Sequence, residues 1–168
     1  SQGTMNNFTF GGLMTNAAGE RQPFVYYETN GGGLGAGAPG PGGSGMHAHM
    51  SNTLNTPIEA LEYNFPVRLL AYNLRRGSGG PGRHPGGDGL IRAVQFLAPV
   101  TATLMSERRE TQPYGLNGGQ PGACGRNQLI RAGQTTDLPG KITLPVEAGD
   151  IIQLETPGGG GWGQVESD

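Results

Sequence analysis

The hydrophobic positions of this chain come in short runs, each closed off by glycine or proline. Phe24 to Thr29 is aromatic and β-branched and lies between Pro23 and Gly31, the pattern of a strand. Val67 to Leu74 is mostly apolar and opens behind Pro66, and Leu90 to Leu97 follows Asp88-Gly89, a strong turn signal. Val100 to Met105, Gln128 to Arg131, Lys141 to Val146 and Ile151 to Glu155 continue the series, with Ala148-Gly149-Asp150 as the turn joining the last two. Many short strands with turn signals between them predict a mainly β fold, a sandwich or barrel-like domain with long Gly-rich loops and one or two short helices. One helix start is marked: Thr56 as N-cap, Pro57 at the first helical position and Glu59 three residues after the cap, the spacing of a capping box. Phe65-Pro66 limits that helix to about two turns.

Composition sharpens this picture. The chain has 33 Gly and 13 Pro among 168 residues, a level common in disordered chains. The glycines are clustered rather than monotonous: Gly11-Gly12, Gly79-Gly80, Gly86-Gly87, Gly118-Gly119 and Gly158 to Gly161 read as turn punctuation, where glycine supplies positive φ. A loop-rich folded protein follows, with Ala36 to Gly45 as its loosest stretch. The net charge of -2 and the scattered Lys and Arg argue against nucleic acid as a partner. No apolar run is long enough to span a bilayer, and the single Cys124 fits a reducing compartment, so a cytoplasmic location is expected. The start at Ser1 is what a processed product or the back half of a longer chain would show.

Candidate chemistry concentrates in Met46 to Glu62. His47 and His49 alternate, so on an extended segment both imidazoles share a face. They form half a metal site, with Glu59, Glu62, His84 or Asp88 as possible third ligands; backbone hydrogen bonding is the alternative role. The Arg75 to Gly89 stretch, with Gly79, Gly80, Arg83 and Asp88, reads either as a nest of amides suited to an anion or as an elaborate turn between strands. Gly35 to Gly40 matches G-x-G-x-x-G, but Pro39 and Pro41 forbid the helix that a dinucleotide site requires, and no P-loop is present. Cys124 has no evident base nearby in sequence, and Trp162 is expected to pack over the glycine turn that precedes it.

Taken in order, several of these segments resemble the C-terminal part of the hydantoinase B/5-oxoprolinase family, which is related to the acetone and acetophenone carboxylase subunits. They are Ser1 to Asn7, Tyr26 to Thr29, His49 to Thr53 with Thr56 to Glu59, Arg75 to Gly80, Gly86 to Gly89, Gly115 to Gly119 and Thr156 to Gly161. The resemblance implies that residues 1–168 form a single C-terminal hydantoinase B-type domain, a split subunit or fragment of a longer chain. It implies work beside the remaining hydantoinase B chain and an A-type subunit that binds ATP, and no activity alone. The implied reaction is ATP-dependent opening of a cyclic amide such as hydantoin, 5-oxoproline or another lactam. Ketone carboxylation and a purely structural subunit are the alternatives. A divalent metal is implied in the complex, yet the family's Thr-His-Leu-Pro-Asp and His-His-x-Asp-Ile-Gly-Gly motifs do not occur here, so no metal ligand is assignable. Within this reading His47 and His49 are the candidate catalytic residues, and Gly79, Gly80, Arg83 and Asp88 the candidate anion or substrate contacts.

Overall fold

The computed structural model describes residues 2–15, 18–48, 51 and 53–165. Nine strands and one helix are present among these residues: β1 (Asn7–Thr15), β2 (Arg21–Thr29), α1 (Ile58–Asn64), β3 (Val67–Arg75), β4 (Gly89–Phe96), β5 (Val100–Met105), β6 (Arg126–Arg131), β7 (Gln134–Leu138), β8 (Lys141–Val146) and β9 (Ile151–Glu155). They form two sheets, ordered β2-β1-β5-β8 and β3-β4-β9-β6-β7. Neither closes on itself, so of the two predicted architectures the sandwich is the one adopted. The Ala148-Gly149-Asp150 turn does join β8 to β9, but those strands belong to different sheets, so it is a corner and not a hairpin.

Strand alternation explains the core. On β1 Phe8 and Phe10 point inward, on β5 Val100, Ala102 and Leu104, on β4 Val94 and Phe96, and on β9 Ile152 and Leu154. Phe10 is the hub, with Tyr26 and Phe96 ring centroids 5.1 and 5.3 Å away and Phe8 at 5.4 Å. Helix α1 contributes Leu61, which is fully buried in the same core.

Three expectations change. Gly11-Gly12 lies inside β1 rather than in a turn, since Gly11 is paired with Val25 of β2 on one side and Thr101 of β5 on the other. The capping box does not form: Pro57 is the N-cap without a side-chain hydrogen bond, and the Thr56 hydroxyl bonds the Tyr26 phenol at 2.9 Å instead. Loop 36–45 is tied down, Gly42 N donating to Pro85 O at 2.9 Å and Gly45 N to Asp88 O at 2.8 Å.

That loop belongs to a third layer. β3 ends, β4 begins, β9 ends and β6 begins at one end of the five-stranded sheet, as the pairings Arg75–Gly89, Ile91–Glu155 and Arg126–Glu155 require. The glycine-rich connections therefore emerge together and run side by side as extended threads. Leu34 N donates to Gly43 O, Gly87 N to Leu34 O, Gly159 N to Gly87 O and Gly80 N to Gly159 O, all at 2.8–2.9 Å. A Cβ on Gly33 would land on the Gly87 carbonyl oxygen, one on Gly158 on that of Ser78, and one on Gly159 on that of Leu34. None of these three has positive φ, so close backbone approach and not turn geometry demands glycine there, the steric logic of the collagen axis. Among the described residues no helix is long and apolar enough to cross a membrane.

Candidate functional site

Strand β2 carries Tyr26 and Glu28 on its inward face, and β4 carries Arg92 on its own inward face in line with Val94 and Phe96. The two sheets thus meet in an ion pair where hydrocarbon is expected. Arg92 is 0% exposed and Glu28 6%. The guanidinium donates through Nε to Glu28 Oε1 at 2.7 Å and through Nη2 to Oε2 at 2.9 Å, a bidentate fork. Its Cζ lies 4.7 Å from the centroid of the Tyr72 ring. The Tyr26 hydroxyl also donates to Glu28 Oε2, at 2.9 Å. Burial raises the Tyr26 phenol to about 12, with the Thr56 hydrogen bond opposing and the Glu28 charge reinforcing, and burial also raises Tyr72.

Asn55 links this pair to the histidine loop. Its Nδ2 donates to Glu28 Oε2 at 3.0 Å and to the Thr29 carbonyl at 2.8 Å, which fixes the amide orientation and turns Oδ1 outward. That oxygen accepts the Tyr72 hydroxyl at 2.8 Å and lies 3.1 Å from His47 Nε2. Because Oδ1 only accepts, Nε2 carries the proton in the neutral ring, and the lone pair is left on Nδ1. His47 Nδ1 is buried and has no hydrogen-bond partner. His49, the second candidate catalytic residue, lies outside the described residues.

Beside the network opens a cavity of about 340 Å³ bordered by Glu28, Thr29, Ser51, Thr56 and the apolar Met5 and Leu54. The Thr29 hydroxyl, in a side chain only 5% exposed, is also unpartnered. So are Arg92 Nη1, Asn30 Oδ1 and both amide atoms of Gln2. These groups gather round the exit of β2 into the glycine layer. Buried polar atoms are almost always paired, so a cluster of orphans marks a place poised for a ligand or for water.

The other candidates fall elsewhere. Gly79 N donates to Asp88 Oδ1 at 3.0 Å and Gly80 N to Gly159 O at 2.8 Å, so both amides of the expected nest are engaged within the chain. Arg83 is exposed, and its N–H bonds the Gly163 carbonyl. This stretch behaves as the turn between strands. Glu62 Oε1 accepts the Leu69 amide, and His84 stacks on Trp162 with centroids 5.6 Å apart. Among the described residues no three His, Cys, Asp or Glu side chains converge on a metal-sized space. Cys124 is a free, half-buried thiol. Arg109 bonds only neutral acceptors, Asn6, Asn127 and the Glu107 carbonyl, and desolvation with Arg75 nearby pushes it down to about 10.

The family model described as Hydantoinase B/oxoprolinase matches residues 1–165. The chain is 50% identical to 5-oxoprolinase 1 of Arabidopsis thaliana over 97% of its own length, and it spans 12% of that relative. Its fold is similar to that of an ATP-dependent caprolactamase from Pseudomonas jessenii (TM-score 0.76, 21% identity, 96% of this chain and 30% of that one). A nucleotide-free acetone carboxylase is comparably similar (TM-score 0.74, 20% identity, 95% of this chain and 26% of that one).

Proposed function

The chain belongs to the hydantoinase B/oxoprolinase family, and on that premise we propose that it is the C-terminal part of an ATP-dependent enzyme that opens cyclic amides. The observation that carries this reading is the 50% identity to a 5-oxoprolinase along nearly the whole chain. The two solved structures, at 20% and 21% identity, speak for the fold and do not choose between lactam opening and ketone carboxylation. ATP is bound by an A-type partner and the rest of the B-type segment completes the site, in the cytoplasm. The described residues offer no set of three ligands for the divalent metal that the family implies, so no step is routed through one here.

His47 supports a role in proton transfer. In ATP-driven lactam opening, phosphorylation of the amide oxygen activates the ring carbon, and water adds there. The C–N bond then breaks as the ring nitrogen takes a proton, and a second water releases phosphate from the acyl phosphate. Each attacking water must lose a proton. His47 presents a bare Nδ1 while Asn55 holds its Nε2–H, and Asn55 is held in turn by Glu28 and Arg92, an arrangement that fixes tautomer and aim. The assembled enzyme should convert 5-oxoproline and ATP to glutamate and ADP, and should not carboxylate acetone with ATP and bicarbonate. Ketone carboxylation without ring opening sinks the reading. His47→Ala in an intact assembly should lower kcat by about 10²- to 10⁴-fold; a loss of assembly together with activity points to a structural subunit instead.

A further inference from the structure

A sheet with one face in the core and the other in water is polar on its outer face. The five-stranded sheet follows the rule: Gln153, Glu155 and the Arg126–Asp137 ion pair, 2.8 Å apart, stand on its outer side. The four-stranded sheet departs from it. Its register lines up Tyr27, Thr9, Thr103 and Thr143 across the outer face, and beside them Val25, Gly11, Thr101 and Pro145. The charged side chains on this face, Arg21 and Lys141, stand in the two end rows, opposite Thr15 and Met105. Between those rows the face is bare of charge, and its large apolar side chains are open to solvent, from 47% exposure at Leu13 to 71% at Val25. Gly11 leaves a dent in it, a cavity of about 350 Å³ walled by Leu13, Thr101 and Pro145. At the opposite end Asn7 and Met105 pass into a second cavity of about 400 Å³, which Met5 and Ala48 also line, and Ala48 adjoins His47 in the chain.

We propose that the outer face of the four-stranded sheet is the surface on which the remaining hydantoinase B-type segment docks, with an apolar side chain of that segment in the dent over Gly11 and its backbone roofing the cavity beside His47. The proposal rests on the reading above that this chain works as the C-terminal part of a larger B-type unit. Two observations choose this occupant. The chain spans 12% of 5-oxoprolinase 1 and 30% of the caprolactamase, so most of each relative lies outside the aligned part and has a surface of this domain to cover. The face also runs without a break into the cavity beside His47, so one cover buries Val25 and Tyr27 and shuts that cavity from bulk water, as a phosphorylated intermediate requires. Loss of charge from the middle of a patch, with charges kept at its rim, is the composition of a permanent interface rather than a transient one. A flat, uncharged, Thr-rich face with a glycine dent suits a segment that never leaves it.

The test is thiol labelling of the assembled enzyme carrying Thr101→Cys, with Thr135→Cys as the control. Both threonines are exposed on outer faces of this domain, the first beside the dent and the second on edge strand β7, and both substitutions are small. With N-ethylmaleimide and peptide mass spectrometry as the readout, the thiol of Thr101→Cys should react at least about 100-fold more slowly than that of Thr135→Cys in the native assembly, and at the same rate in urea. Equal rates in the native assembly overturn the proposal. Tyr27→p-benzoylphenylalanine, which keeps an aromatic ring on the face, then identifies the cover: photo-crosslinks should map to the remaining B-type segment. Crosslinks to the A-type subunit or to a second copy of this chain, or none, overturn it. Activity is read separately. An assembly that carboxylates acetone yet protects Thr101→Cys sinks ring opening and leaves the interface standing, whereas one that opens 5-oxoproline while Thr101→Cys reacts freely does the reverse.

Discussion

Replacing Gly159 with alanine tests the claim that the glycine layer is a matter of clearance. Built on the observed backbone, the new methyl would overlap the Leu34 carbonyl and crowd the Gly35 amide, neither of which is a side chain that can swing away. Overpacking of this kind costs about 1–3 kcal/mol, and alanine returns only about 0.4–1 kcal/mol by stiffening the unfolded chain. Thread displacement also strains two hydrogen bonds, Gly159 N to Gly87 O and Gly80 N to Gly159 O, each worth about 1 kcal/mol. The expected net loss is therefore about 2–4 kcal/mol. Gly37 is the control: it has no positive φ, and the nearest neighbour of an added Cβ is Pro39 Cδ at 3.4 Å, an ordinary contact. Gly37→Ala should stay within about 0.5 kcal/mol of wild type or gain slightly. Urea unfolding followed by Trp162 fluorescence and far-UV circular dichroism measures both, with the slopes checked for constancy. Equal midpoints for the two variants would show that the threads have slack, and the clearance argument would fail.

Two further expectations concern the sheet-bridging pair. Glu28→Gln leaves a fully buried guanidinium without its counter-charge and should cost about 3–5 kcal/mol, whereas Glu28→Met with Arg92→Met together should recover much of that in a double-mutant cycle; a single-variant loss below about 1 kcal/mol would mean the pair behaves like a surface one. The Tyr26 phenol, raised in the fold to about 12 from 10.0, favours folding in its protonated form. Its contribution is full below pH 10 and is lost as pH climbs through 12, so wild type should lose stability over that window faster than Tyr26→Phe; parallel alkaline unfolding curves would contradict this.

Local pattern was readable wherever a strand alternates and ends in a turn, as at β5, β8 and β9. It failed where pairing partners decide. Gly11-Gly12 has the look of a break, and only neighbours on both sides make it a strand. β7 (Gln134–Leu138) is an exposed polar edge strand, held by a two-residue turn in which Ala132 and Gly133 both have positive φ, and it has no hydrophobic period to find. The sequence pattern puts the helix start one residue early, since Pro57 and not Thr56 is the N-cap, and the Thr56 hydroxyl is engaged by a phenol 30 residues away in sequence. The site was half legible. His47 stands out as a candidate from its neighbours in sequence alone. Glu28 and Arg92 do not, although each is a charge on the inward register of an otherwise apolar strand, and two such charges of opposite sign are a signal that could have been used.

The glycine threads also fix an order of events. The segment after β9 lies between threads made much earlier, with Gly159 bonded to both Gly87 and Gly80. Both sheets can therefore be complete in a growing polypeptide while the layer beside the site still lacks its central strand. Until residues 156–163 arrive, the carbonyl of Gly87 and the amide of Gly80 have only water to bind. The surroundings of His47 are thus among the last parts of this domain to take shape, and a chain cut after Glu155 would have its core but not its finished glycine layer.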